Sequence, residues 1–141
     1  MPHIGNFIER QDGNLHLDES EPKTFSEALS FCKSKGASLL MITSVVKQNM
    51  IENLYKHNPI WLALYASTGG QQLNWFTPET KIALSYSNWA PHQSNKTERC
   101  VIAPSGKKDW IKFPCNSKAE VVCEKKKTGK SIFIKGAMPA K

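Results

Sequence analysis

Apolar residues recur at helical spacing between Thr24 and Gly36. Phe25, Ala28, Leu29 and Cys32 share one face of a 3.6-residue repeat. Thr24 stands three positions before Glu27, the spacing of a capping box, and Gly36 is well placed to end the helix. Ser38 to Ile42 follows as a short buried strand. Ser44 is placed to cap a second helix running to about His57, with Val45, Gln48, Ile51 and Leu54 or Tyr55 on related faces and Asn58-Pro59 as its stop. Ahead of the first helix, Phe7 to Arg10 reads as a strand and Asp12-Gly13-Asn14 as a turn. The rest of the first 22 or so residues is mixed.

The pattern changes past Pro59. Ile60 to Tyr65 is an unbroken apolar run, Ser67 to Gly70 a turn, and Asn74-Trp75-Phe76 a second short strand. Residues 78 to 99 are rich in Pro, Ser, Asn and His and read mostly as loop. Cys100 to Ala103 and Glu120 to Cys123 read as strands. Ser131 to Ile134 is apolar among lysines and reads as an added strand or a tail. Two helices followed by short strands make an α+β pattern.

The chain has 141 residues, enough for one domain with a real core. No apolar run approaches the roughly 20 residues of a membrane helix. Met1 to Asn6 lacks an apolar signal core, so the chain is either cytosolic or has lost a leader. The formal charge is +7, with lysines crowding the C-terminal end. Such a surface attracts polyanions, or serves only solubility. Nucleic acid is not expected as a partner, because no base-reading motif accompanies the charge.

The four cysteines, Cys32, Cys100, Cys115 and Cys123, form no CxxC pair, which argues against zinc. They allow three disulfide pairings, and spacing does not choose among them. A loop-rich second half gains most from such cross-links. That favours an oxidising compartment over reduced core thiols.

At this point the residues resemble the C-type lectin-like domain family. Phe25-Ser26-Glu27-Ala28, Cys32, Gly36-Ala37, Leu39 and Ile42 are similar to its first helix and following strand. Trp61 to Leu64 stands where the family has a Trp-Ile-Gly-Leu strand, and Asn88-Trp89-Ala90-Pro91 resembles the start of its long loop. Glu98, Cys100, Val101, Trp110, Cys115 and Val122-Cys123-Glu124 follow its closing pattern in order and spacing. The similarity runs from about residue 5 to 125. It implies the bridges Cys32–Cys123 and Cys100–Cys115, secretion, two helices around two small antiparallel sheets, and a binding role rather than catalysis.

In sugar-binding members of that family, calcium is held by oxygens from the long loop and from Asn-Asp directly after the strand Trp. Here the loop reads His92-Gln93-Ser94-Asn95, in which Gln93 and Asn95 still offer amide oxygens. Glu98 is kept. After Trp110, however, come Ile111 and Lys112, an apolar side chain and a cation. Calcium needs several hard oxygens, and a positive charge in the site opposes it. The expectation is therefore no calcium at this site, with Lys112 in the ion's place pairing with Glu98, or else pointing to solvent.

Other signals add less. Asn95-Lys96-Thr97 is an N-glycosylation sequon inside the expected binding loop. Trp61, Trp75, Trp89 and Trp110 are expected in the core, leaving Tyr86 and Phe113 as better contact candidates. Gly129-Lys130-Ser131 lacks the upstream glycine of a phosphate-binding loop. His3, His16, His57 and His92 are scattered without ligand spacing, and no nucleophile elbow is present. No enzymatic activity and no cofactor are expected.

The sequence thus predicts an α+β lectin-like domain over residues 1–127 and a basic extension over 128–141. The expected function is calcium-independent recognition of a protein partner in an immune, venom, saliva or host-contact setting. One alternative is a lectin for anionic or sulfated glycans, using Lys107, Lys108, Lys125, Lys126, Lys127 and Lys130. Another is a structural matrix protein associated with ice or mineral. A monomer or a noncovalent dimer through Ile132-Phe133-Ile134 is expected.

Overall fold

The computed structural model describes residues 7–66, 73–76, 81–83, 86–90, 98–105 and 109–127. Strand β1 (Ile8–Glu9) turns through Gly13, whose φ of 84° favours a residue without Cβ, into the long strand β2 (Asn14–Lys23). Helix α1 (Phe25–Ser34) starts at Thr24, and the capping box is complete. The Thr24 hydroxyl accepts from the Glu27 amide, while the Glu27 carboxylate accepts from the Thr24 amide. Gly36, at φ 70°, turns the chain out of α1 into β3 (Ser38–Leu39).

Helix α2 (Val45–Leu54) is capped by the Ser44 hydroxyl. It stops at Leu54, short of the expected His57, because Tyr55, at φ −126° and ψ 73°, leaves the helical conformation after its amide has made the last i→i−4 bond to Ile51. Gln48 and Ile51 turn inward as expected and are joined by Lys47 and Met50, while Val45 and Leu54, expected on the same face, are exposed.

The remaining strands are β4 (Ile60–Ala66), β5 (Leu73–Phe76), β6 (Lys81–Ala83), β7 (Cys100–Ala103), β8 (Ile111–Phe113) and β9 (Ala119–Lys126). Strands β2, β6 and β8 went unrecognised in the sequence. Only two residues of the expected 38–42 strand pair as β3. The segment nevertheless stays buried, with the Leu40 amide on Val122 and its carbonyl holding Ala63. The turn at 67–70 and the run at 131–134 lie outside the described residues.

Two antiparallel ladders result. One contains β1, β2, β9 and β3, and the other β4 to β8. They meet at one parallel pair, Ile60 with Glu120. Strand β4 is apolar along its length because it lies at this junction and is buried on both faces, down to Trp61. The Trp61 indole donates to the Lys23 carbonyl at 2.7 Å and packs edge-on against Phe25 and Phe113. The bridges Cys32–Cys123 and Cys100–Cys115 are both formed, as the resemblance implied. The first ties α1 to β9, and the second closes β7 onto the turn after β8.

Candidate functional site

The segment after Trp110 is held from below by aromatic packing. Trp110 is fully buried and meets Trp75, Tyr86 and Trp89 edge-to-face at 5.5, 5.8 and 5.6 Å. Its indole N–H donates to Gln48 Oε1 at 3.0 Å, reaching across to α2. Backbone bonds from the Trp110 amide to Asn88, and from the Ala90 amide to Trp110, fix the two chain segments side by side. Three of the four tryptophans are buried, as expected, and Trp89 is half-buried.

On this platform β8 runs beside β7, with Ile111 opposite Ile102, Lys112 opposite Val101 and Phe113 opposite Cys100. Ile111, Lys112 and Phe113 are all half-buried. Glu98 is also half-buried, two residues ahead of Cys100. The positions that directly follow the strand Trp therefore present a branched alkyl group and an ammonium, neither of which has an oxygen to give a hard cation. Those two side chains supply no oxygen ligand, and the other expected donors, Gln93 and Asn95, lie outside the described residues.

Of the other expected site residues, Tyr86 is half-buried against Trp110. Burial, with Glu52 nearby, raises its hydroxyl above the ordinary value. Phe113 packs on Trp61 and so helps close the core. Lys125 stands over the Phe7 ring at 4.2 Å, Lys126 is exposed, and Lys127 reaches Glu9 at 3.1 Å. Gln93, Asn95 with its sequon, Lys107, Lys108 and Lys130 lie outside the described residues.

A second polar cluster was not legible in the sequence. His16, judged to lack ligand spacing, comes together with Asp12 and Glu124, their ligand atoms within 4.8 Å of one another. The centre already holds a cation. Lys47 Nζ donates to both Glu124 oxygens, at 2.5 and 2.8 Å, and lies 3.7 Å from Asp12. Glu124 also accepts from the Met41 amide, and His16 Nε2 faces Asp12 at 3.2 Å. Burial opposes ionisation of Asp12. The Asn14 amide, His16 and Lys47 outweigh it and hold the carboxyl below its ordinary 3.8. The cluster locks the β1–β2 turn, β9 and α2 together. Its partners are too far apart in the chain for any local motif to show them.

Comparison with known proteins agrees with this architecture. The model of the Lectin C-type domain family matches residues 21–125. A salivary C-type lectin 2 from Aedes albopictus is 30% identical over 130 residues, covering 81% of this chain and 85% of that protein. One polypeptide of a snaclec coagulation factor IX/factor X-binding protein from Protobothrops flavoviridis is 27% identical over 119 residues, covering 80% of this chain and 76% of that one. Of several mammalian proteins that it also matches, among them a human secretory phospholipase A2 receptor, the chain spans less than half the length. Among solved structures, the carbohydrate-recognition domain of the mouse scavenger receptor C-type lectin superposes with a TM-score of 0.73 at 24% identity, covering 90% of this chain and 96% of that one. Among the described residues, no helix is long and apolar enough to cross a membrane. The fold, both disulfides and the matched span together make this chain a member of the C-type lectin domain family, whose domains are generally non-enzymatic modules for carbohydrate or protein binding.

Proposed function

We propose that the chain is a secreted binding domain that recognises a protein partner through its long-loop face and needs no calcium there. The observation that carries this reading is the pair Ile111–Lys112 directly after the buried Trp110. Sugar binding through calcium requires oxygens at those positions. In the same reading, Lys112 takes the place of the ion and pairs with Glu98. Both residues are half-buried and flank the Cys100–Cys115 bridge, which supports that pairing. The two disulfides suit an oxidising compartment. The related snaclec protein is named for binding coagulation factors, so this fold is compatible with a protein ligand.

A glycan array that includes sulfated polymers, read with calcium and again with chelator, tests the reading. A blank array, with no heat on calcium titration, is expected. Binding that disappears in chelator would overturn it. The second reading, an anionic-glycan lectin, is favoured by Lys125, Lys126 and Lys127 at the end of β9 and by the +7 charge. It predicts array binding that survives chelator and weakens steeply with salt.

A further inference from the structure

We infer that Arg99, laid against Tyr65 directly after Glu98, anchors a carboxylate from an acidic segment of the protein partner. This rests on the reading above that the long-loop face takes a protein. The chain has two arginines, Arg10 and Arg99. Arg10 faces Asp18 at 3.6 Å. Among the described residues, the guanidinium of Arg99 meets Tyr65 and not a carboxylate. One nitrogen donates to the Tyr65 hydroxyl at 3.2 Å, and the group stands over that ring at 5.6 Å.

Tyr65 is itself fixed. Its ring stacks on Phe25 with the planes 11° apart, and Phe25 meets Trp61 in the core. The Arg99 carbonyl also accepts from the Ala66 amide at 2.9 Å. A half-buried guanidinium is thus in position before any partner arrives. Such a planar fork offers two parallel hydrogen bonds to a carboxylate, with little rotamer freedom left to lose.

The surroundings choose a protein segment over a sulfated chain. Strand register sets Tyr65, Cys100 and Phe113 abreast, and every residue from Ile111 to Cys115 is half-buried. Tyrosine, phenylalanine and isoleucine around one arginine have the make-up of an interface centre. In the reading above, Glu98 and Lys112 answer each other. Among the described residues of this patch, Arg99 is then the cation left for a ligand. It suffices for one carboxylate and is too little for a run of sulfates. The charge of +7 also draws acidic partners towards the chain.

A random peptide library selected on the full chain in chelator tests the inference, with the enriched peptides measured by fluorescence anisotropy. Enriched peptides should carry Asp or Glu beside an apolar residue. Arg99→Gln should weaken their binding roughly tenfold or more. Arg99→Lys, which keeps the charge and loses the fork, should weaken it as well, and thermal melts check that both variants fold. Tyr65→Phe, which keeps the ring and drops the hydroxyl, gives a milder third variant with the same expected direction. Enriched peptides without an acid overturn the inference, as do acidic peptides that all three variants bind like the parent. An empty selection also overturns it, and so does dextran sulfate held through Arg99. Failure of the underlying reading shows separately, as glycan binding that chelator abolishes.

Discussion

Trp110 and Gln48 are joined by a 3.0 Å hydrogen bond between two buried side chains. This bond links the aromatic platform under β8 to helix α2. Gln48→Ala removes the acceptor and strands the indole N–H in the core. A loss of about 1–3 kcal/mol is expected, since an unmade buried bond costs its full desolvation. Urea unfolding measures it, and an unchanged midpoint would show that the link contributes nothing.

Lys47 neutralises two carboxylates inside the fold. Lys47→Met should cost about 3–5 kcal/mol, because Glu124 and Asp12 lose their shared cation. Adding Glu124→Gln to that variant should recover part of the loss, since the uncompensated charge is then gone. A double-mutant cycle reads the coupling. Strict additivity would mean that the ion pair is not what holds α2 to β9.

Acid should loosen the same cluster. The Asp12 carboxyl titrates below its ordinary 3.8 in the folded chain. Its stabilisation is therefore present above that value and is lost as pH falls through the lower, folded one. Thermal melts of the parent and of Asp12→Asn should converge over that acidic interval and separate above it. Parallel curves throughout would assign the acid sensitivity to another group.

The two bridges should differ in weight. Cys100–Cys115 spans 15 residues and Cys32–Cys123 spans 91. By the chain-entropy model the first contributes about 3 kcal/mol and the second between about 4 and 4.7 kcal/mol. Paired Cys→Ala variants, unfolded in denaturant, should therefore rank in that order, and the reverse ranking would point to native-state strain.

Lys112→Ala tests the proposed pairing with Glu98. Limited proteolysis between residues 86 and 98 should quicken in the variant while its melting temperature changes little. Cleavage at the parental rate would show that Lys112 does not hold the loop.

The helical starts were legible because their signals are local. Thr24 and Glu27 read each other's backbone, and Ser44 caps within one turn. The inward face of α2 was legible only at Gln48 and Ile51. Val45 and Leu54 look like core residues by type, yet Lys47 is buried in their stead. The reason is a carboxylate 77 residues away. Strand β2 was hidden because only His16 and Leu17 in it are buried, so its polar outer face masks the alternation. Strand β8 is three residues long and shows no period at all. The calcium-ligand positions were readable only through the family resemblance, since nothing in the local spacing marks Ile111 and Lys112 as special.

The pairing of β2 with β9 sets Asn14 opposite Lys126, so the chain enters and leaves the fold at one corner. If the two ends were pulled apart, these strands would part pair by pair like a zipper, reaching Leu17 opposite Cys123 after a few residues. The Cys32–Cys123 bridge would then carry the tension as a covalent shunt. The segment between those cysteines, with Trp110, β8 and α2 inside it, would bear none of the load. The aromatic platform under β8 would keep its shape while the strands on either side are strained.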